Sequence, residues 1–417
     1  LHDYENRKRK FPDVDGRFKF CTLVFGGSKI QTPKADFAFF LREVEDLEEK
    51  KRHIPLDADD LALVNPNTRT CPIFRGRRDA KLTKSIYKRV PILIDHNRKK
   101  GGNPWGIKFF TMFHQTNDAE LFHTREQLRE LGFKQHGSVW RKRNKLFLPL
   151  YEAKMVQSYD HRAAGVVVEE SNWMRQGQTK PTSLVSHQNP EFTVEPRWWV
   201  TEGSVLASLE SRRDRGFIGF KDITSPTNER TMIAAAIPWS AVTNHFPLLL
   251  TGAGPRLELC LLANLNSFAL DYTARQKIGA ITLNFFIVEQ FPIFPPDKYA
   301  ERCPWNRRQT LEKWISDRVL KLTCTADDMR PLAKAAGFSE AVHPWKPDER
   351  ATLLAELDAA YFQLYGVSRD DAEYILSTFT GTQRRDETDV GTFRTSGLIL
   401  EAFDRFRAES GGSSDPS

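Results

Sequence analysis

Four clusters of side chains in this sequence are equipped for chemistry. The first lies in residues 262–296, LANLNSFALDYTARQKIGAITLNFFIVEQFPIFPP, where Asn264, Asn266, Tyr272, Arg275 and Gln276 ride on a helical run that breaks at Gly279. Leu283, Phe285 and Ile287 then alternate as in a strand, which leads to Gln290 and stops at Pro295-Pro296. Amide, phenol and guanidinium groups held beside a buried strand can bond base edges or phosphate oxygens. An amphipathic helix packed on a strand gives the same pattern with no ligand at all.

The second cluster is Arg75-Gly76-Arg77-Arg78, ahead of a stretch in which Leu82, Ile86 and Val90 repeat at helical spacing and Lys81, Lys84, Lys88 and Arg89 fall on other faces. Guanidinium groups and the free amides at a helix start both address anionic oxygens, and Asp79 is placed to help cap that start. A solubilising basic face reads identically. The third cluster is a hairpin-like unit in residues 216–238, with strands at 217–220 and 231–237 and a turn at Ser225-Pro226-Thr227-Asn228. Lys221, Asp222, Thr224, Thr227, Asn228 and Arg230 along its polar edge could enter a groove, or simply satisfy the turn.

The fourth cluster follows a strand within residues 145–162 and comprises Glu152, Lys154, Asp160, His161 and Arg162. Glu-x-Lys matches the tail of a metal-dependent nuclease motif, in which the lysine stabilises charge beside carboxylate ligands. No carboxylate on a preceding strand completes that motif, so Lys154, His161 and Arg162 are assigned to structure or to positioning DNA.

The elements that position these groups alternate in kind. Residues 18–25 read as a strand, 56–64 as a short helix ending at Asn65-Pro66-Asn67-Thr68, 105–114 as a buried strand and 118–132 as a helix. Residues 165–196 have no period and read as an exposed loop. Beyond Pro296 the chain turns helical, with apolar stripes in 310–322 and 351–365, Asp348 or Thr352 near the second start, and a Gly366 stop before a Ser368 cap for 370–379.

Composition bounds the class. The chain has 417 residues, 28% charged and 40% hydrophobic, enough for two or three domains with sizeable cores, and it has no apolar run able to span a bilayer. A cytoplasmic protein is expected. The net charge of +7 is mild but uneven, with Lys and Arg crowding the first third and acids gathering at Glu43 to Glu49 and near the C-terminus. The five cysteines are scattered, with neither zinc-knuckle spacing nor a disulfide framework. Cys21 and Cys260 lie in apolar runs and are expected to be buried thiols, and no metal site is inferred.

Several ordered segments resemble the recognition regions of type IIG-like restriction-modification adenine-N6 DNA methyltransferases and their phage-defence relatives. They are PNTRTCPIFRGRRDAKLTKSIYKRVP at 66, LYEAKM followed by DHR at 150, KDITSPTNERT at 221, the stretch 262–296, and LYGVSRDDAEYILSTF with FRTSGLILEAF near the end. The resemblance implies a DNA-binding role for Arg75, Arg77, Arg78, Lys154, His161, Arg162, Thr227, Asn228, Arg230, Arg275 and Gln276. A DNA contact by Arg384, Arg385 or Arg394 is a further expectation.

The intact family transfers a methyl group from S-adenosylmethionine to adenine within a defined sequence. Here the Gly-rich cofactor loop and the Asn/Asp-Pro-Pro-aromatic turn that holds the flipped base are missing, so no cofactor is expected on this chain alone. Tyr4-Glu5-Asn6-Arg7 and the following KF strand resemble the last strands of the methyltransferase domain, which makes the chain look truncated. The expected fold is mixed α/β: an incomplete edge of a methyltransferase sheet (1–52), a mixed α/β target-recognition domain (53–296), a helical C-terminal region (297–408) and a disordered tail (409–417). Expected partners are double-stranded DNA, a catalytic methyltransferase portion and a nuclease or helicase, with no membrane. The alternative is a stand-alone sequence-specific DNA-binding module of a defence complex.

Overall fold

The computed structural model describes every residue except 17, 31, 168–177, 210–211, 280, 339–341 and 412–417, and except the side chains of 207 and 208. The architecture is mixed α/β, with several small sheets and, among the described residues, no closed barrel. Among the described residues no helix is long and apolar enough to cross a membrane.

Strands β1 (His2–Glu5), β2 (Lys19–Thr22), β3 (Ala35–Leu41) and β4 (Ile54–Leu56) form a sheet of order β2-β1-β3-β4, in which only β1 and β3 run parallel. Their register slips between His2↔Ala38 and Tyr4↔Leu41, so β3 carries one extra residue, and Phe40 there has φ 58. Strand β2 is an edge. Around it Phe18, Val24 and Phe25 are 64%, 90% and 83% exposed and form an apolar margin, and of the 18–25 stretch only Lys19–Thr22 pairs as strand. Cys21 lies on that margin and is exposed, contrary to expectation, because β2 is paired on one side only. Cys260 is buried as expected.

Helix α1 (Ala58–Val64) starts at Asp57, whose carboxylate accepts from the Asp60 amide at 2.8 Å. Helix α2 (Arg77–Arg89) buries the Leu82, Ile86 and Val90 stripe while Lys81, Lys88 and Arg89 stay exposed. Next come β5 (Lys108–Phe110), α3 (Arg125–Glu130), β6 (Lys134–His136), β7 (Val139–Lys142) and β8 (Lys145–Tyr151). They are followed by β9 (Ala164–Val167), β10 (Gln178–Pro181), α4 (Leu184–Gln188), β11 (Trp199–Thr201) and α5 (Glu202–Leu209). Then come β12 (Phe217–Phe220), β13 (Ala234–Ile237), β14 (Ala241–Val242) and β15 (Leu248–Leu250). Two sheets result, one of order β11-β8-β7-β6 with β14 parallel to β8, the other of order β13-β12-β15-β5, beside the hairpin β9-β10.

The remainder is mostly helical: α6 (Pro255–Asn266), α7 (Phe268–Arg275), α8 (Phe285–Val288), the ribbon β16 (Arg302–Cys303) and β17 (Asn306–Thr310), and α9 (Leu311–Thr323). Helices α10 (Arg330–Ala335), α11 (Pro347–Leu364), α12 (Arg369–Ser377), α13 (Thr380–Val390) and α14 (Arg394–Glu409) complete it. Gly366, at φ 70, stops α11 where a left-handed residue is needed, and Ser368 caps α12. One apolar core runs from Leu82 on α2 through Leu262 on α6 to Phe406 on α14, so the C-terminal helices pack against α2, α6 and α7 without a break at residue 296.

Several local expectations are corrected. Residues 283–287 are not a strand: Leu283 is bonded to the Asp222 carbonyl, and the following residues wind into the single turn α8, whose Phe285 stacks on Phe109. A four-residue apolar run fits either period, and here the tertiary packing decides. The run from 262 to 276 is two helices, because Ser267 ends α6 and its hydroxyl accepts from the Leu270 amide to start α7. Only 108–110 of the 105–114 stretch pair as strand, and 118–132 yields a short 3-10 turn, Ala119–Leu121, and α3. Helix α11 is capped at Lys346 with Pro347 in its first turn, not at Asp348 or Thr352. Within 165–196, β9, β10 and α4 are ordered elements, and 168–177 lies outside the described residues. Of the tail, Glu409 ends α14 and 412–417 lies outside them too.

Candidate nucleic-acid interface

Helix α6 has Leu259, Cys260, Leu261, Leu262, Ala263 and Leu265 fully buried, which means it is enclosed on all sides. A polar residue on such a helix must find its partner inside the protein. Asn266 does so by bonding both backbone groups of Ala234, its amide oxygen accepting at 3.0 Å and its NH2 donating at 2.9 Å, as a neighbouring strand would. Asn264 donates to the Tyr365 hydroxyl at 2.6 Å and accepts from the Phe294 amide at 3.2 Å. On α7 the Tyr272 hydroxyl donates to Asp79 Oδ1 at 2.6 Å, and just beyond it Gln276 Oε1 accepts from Thr83 at 2.5 Å. Gln290 accepts from the amides of Asn67 and Thr68 at 3.0 and 3.2 Å. Asn264, Asn266, Tyr272 and Gln276 are each at most 6% exposed. These groups join segments of the fold, and the expectation that Gln276 faces DNA is corrected.

Arg230 and Arg275 are also consumed internally. Arg230 Nε donates to Asp271 Oδ2 at 2.8 Å, its Nη2 donates to the Asn266 carbonyl, and its plane lies 3.9 Å from the Phe268 ring centroid. The same carboxylate accepts from the amides of Thr231 and Met232. Arg275 Nη2 donates to the carbonyls of Asn228 and Glu229 at 2.6 and 2.9 Å, with its guanidinium 3.8 Å from the Phe379 ring. Burial, with the neighbouring cations Arg230 and Arg75, brings its pKa down to about 10, and Asp271 opposes that shift. The two arginines therefore brace the turn at 225–230 from behind. Arg385 braces it from α13, donating to Glu229 at 2.5 Å. Thr227 and Asn228 remain exposed at its tip, although the Thr227 hydroxyl also contacts Ser225 at 2.8 Å.

The Arg-rich turn is held differently. Gly76 begins α2 in extended conformation with no side-chain cap, and Asp79 turns inward instead, accepting from the Arg75 amide at 3.1 Å, from Tyr272 and from Tyr374. The one carboxylate within the Arg-rich turn's own helix start is thereby spent on tyrosine hydroxyls and a backbone amide. Arg75, Arg77 and Arg78 stay exposed. Arg77 Nε donates to the His53 carbonyl at 2.7 Å, and Arg75 lies over the ring of the half-buried Phe40. Arg78 is paired with Asp371 at 2.9 Å and stacked 4.0 Å from the Tyr374 ring centroid. Among the described residues neither Arg75 nor Arg77 forms an ion pair. Tyr272 and Arg275 lie three residues apart on α7, roughly 4.5 Å along its axis. The turn at 75–78 and the turn at 225–230 are therefore fastened to adjacent points of one helix.

Lys154, His161 and Arg162 lie elsewhere, His161 and Arg162 in an interior knot and Lys154 half-buried. Arg162 is fully buried; its Nη1 donates to the carbonyls of Asn189 and Phe192, both at 2.9 Å, and its Nη2 to those of His187 and Thr325, both at 3.0 Å. His161 meets Asp328 and Asp160 meets His187, both at 3.0 Å, while Lys154 pairs with the buried Glu152 at 3.0 Å. Burial depresses the pKa of Lys154 and of Arg162, and each is offset by carboxylates nearby. The assignment of His161 and Arg162 to DNA is corrected, because both are spent in tying the strands to the loop before α10. Arg394 is likewise paired, with Asp348 at 2.8 Å, whereas Arg384 is exposed on α13.

The candidates that stay exposed thus include Arg75, Arg77 and Arg78 on one turn, Thr227 and Asn228 on the other, and Arg384 on α13. Phe40 and Tyr374, which carry Arg75 and Arg78, were not singled out from sequence, where single aromatic residues give no such signal. No protein-family profile matches this chain, and no curated protein matches it.

Proposed function

We propose that this chain is the DNA-sequence-recognition portion of a site-specific adenine-N6 DNA methyltransferase of a restriction-modification or phage-defence system, working in the cytoplasm. The observation that carries this reading is the pairing of two turns on α7: a cationic one, Arg75 and Arg77, whose nearby carboxylate Asp79 faces inward, and a polar one presenting Thr227 and Asn228. Phosphate contact by the first would fix register, and hydrogen bonding by the second would read base edges. The ordered sequence segments that resemble the methyltransferase recognition region supply the family.

We expect no S-adenosylmethionine on this chain alone. Among the described residues β2 leads past Gly26-Gly27 to β3 with no helix between, so that glycine pair forms no cofactor cradle. Methyl transfer would then require a catalytic portion, in the same or a separate chain, with a nuclease or helicase as a further partner. The stand-alone binding module remains the second reading on the same observation.

Selection from a randomised duplex pool, followed by binding across salt concentrations, tests the proposal. Enrichment of one motif and a steep salt dependence are expected; absence of duplex binding at low salt refutes it. Labelled methyl transfer by this chain alone should stay at background, and turnover would overturn the division between reading and chemistry. Restoration of transfer by an added catalytic portion would favour the methyltransferase over the stand-alone module.

A further inference from the structure

The N-terminal sheet brings together three residues far apart in sequence. Asp36 on β3 pairs in register with Pro55 on β4, and His2 on β1 pairs with Ala38. Side chains alternate faces along a strand, so Asp36 shares a face with Ala38 and hence with His2. His53, two residues before Pro55, continues the same face from the third strand. His2 Nε2 lies 3.1 Å and His53 Nδ1 lies 2.7 Å from the same oxygen, Asp36 Oδ2. All three donor atoms fall within 4.8 Å of one another, the one such grouping of His, Cys, Asp and Glu donors among the described residues.

The outer hydrogen bond of His53 adds a second observation. Its Nε2 lies 2.7 Å from the Leu47 carbonyl. A carbonyl only accepts, so Nε2 carries the proton, and Nδ1 is the atom whose lone pair can bind a cation. Imidazole ligands are commonly oriented in this way by a hydrogen bond from the far nitrogen to a carbonyl.

We propose that His2, Asp36 and His53 form a binding site for a divalent first-row transition metal ion, zinc foremost, completed by water at the exposed side. Two imidazoles and a carboxylate are borderline donors that suit zinc over magnesium or calcium. Bonds of about 2.0–2.1 Å at tetrahedral angles place donor atoms about 3.3 Å apart, which small side-chain rotations reach from the observed spacing. All three side chains are partly accessible, at 28%, 46% and 29% for His2, Asp36 and His53, so an ion can enter without unfolding. The ion would staple β1, β3 and the segment leading into β4. Because the His53 carbonyl accepts from Arg77, it would also stiffen the base of the Arg-rich turn. The cysteine pattern could not have disclosed this site, since it contains no cysteine.

The test uses the whole tag-free chain, stripped with a chelator and titrated with zinc against a chromophoric competitor. One zinc per chain, a visible cobalt spectrum of tetrahedral intensity and a rise in melting temperature with zinc are expected. Asp36→Asn and His53→Gln, checked for native circular dichroism, should each weaken zinc by at least about 10-fold and abolish the melting shift. His136→Gln, at an exposed histidine on β6, should change nothing. A Gly-Ser extension ahead of Leu1 should leave affinity unaltered; abolished binding there would trace the metal to the terminal amine and overturn the site. Failure of the intact chain to bind zinc, or equal affinity in the Asp36 and His53 variants, would overturn it as well.

Discussion

The α7 joint and the Arg-rich turn are built from the same residue types and put to opposite uses. At the joint, Arg230, Arg275, Asn266 and Gln276 meet carboxylates, carbonyls and a hydroxyl inside the protein. At the turn, Arg75 and Arg77 stand exposed because Asp79, the acid that could have neutralised them, is drawn inward by two tyrosines. The difference is set by what surrounds the backbone. Helix α6 and the start of α7 are enclosed, so polarity there must be satisfied internally, at a cost of about 1–3 kcal/mol for any buried group left unpaired. Helix α2 has one face in solvent, so its first turn can hold charge in reserve. A polar cluster in a sequence motif is thus as good a sign of a joint as of a binding surface.

The sharpest way to break this contrast is to remove an arginine from the joint. Arg230→Ala leaves the fully buried Asp271 carboxylate without its closest cation. A destabilisation of about 3–5 kcal/mol is expected, read as a large fall in melting temperature or in denaturant midpoint. Arg162→Met in the second interior knot should be comparably severe, since several backbone carbonyls are deprived of their donor together. Arg162→Lys should not rescue it, because an ammonium cannot reproduce the planar fork. Native-like stability in Arg230→Ala would show that the joint is not held as described.

Asp358 offers an opposite effect within the same joint. Burial raises its pKa to about 6, and its Oδ1 accepts from the Phe268 amide at 2.7 Å. The folded protein therefore holds this proton at pH values where the unfolded chain has released it. Its contribution to stability is full below about pH 4 and declines as pH rises through about 6, by on the order of 2–3 kcal/mol. Asp358→Asn keeps the acceptor and removes the charge. It should stabilise the protein at pH 7.5, leave it unchanged near pH 4, and flatten the profile between. Destabilisation at pH 7.5 would mean that the carboxylate has a stabilising partner.

The sequence disclosed these regions unevenly. The α2 stripe of Leu82, Ile86 and Val90, the strand at 217–220 and the Gly366 to Ser368 helix break were all readable, since each rests on local periodicity or a cap. What failed was the direction in which polar side chains point. Local pattern leaves Asn266 free to face a ligand or a packed strand, and only the pairing of β13 against α6 makes it a surrogate strand. The 283–287 alternation misled for the same reason: stacking of Phe285 on Phe109, across more than 170 intervening residues, outweighs a local pattern. His2, Asp36 and His53 are joined by sheet register alone, which no spacing in the chain encodes.

At the polar turn the expected effect is smaller and confined to recognition. Thr227→Ala and Asn228→Ala remove exposed side-chain groups from a turn whose backbone is held by Arg275, so stability should stay within about 0.5 kcal/mol. Discrimination between a selected duplex and a scrambled one should fall by about 1–3 kcal/mol for each base that is no longer read. Equal weakening on both duplexes would assign the turn to phosphate instead.

The smallest expected change per residue, and the one that best separates the two regions, is at Arg75 and Arg77. Replacing either with Ala leaves no carboxylate unpaired, so melting should barely move. With one phosphate fewer neutralised, binding releases about one condensed counterion fewer, which should lower the slope of log affinity against log salt by about 1. The weakening should be the same on selected and scrambled duplexes, since phosphates carry no sequence. Arg230→Ala, assayed well below its melting temperature, should leave that slope unchanged. If Arg75→Ala and Arg77→Ala keep the full slope while Arg230→Ala lowers it, the braced interior arginine is the one reaching DNA, and the inside and outside of this surface have been assigned the wrong way round.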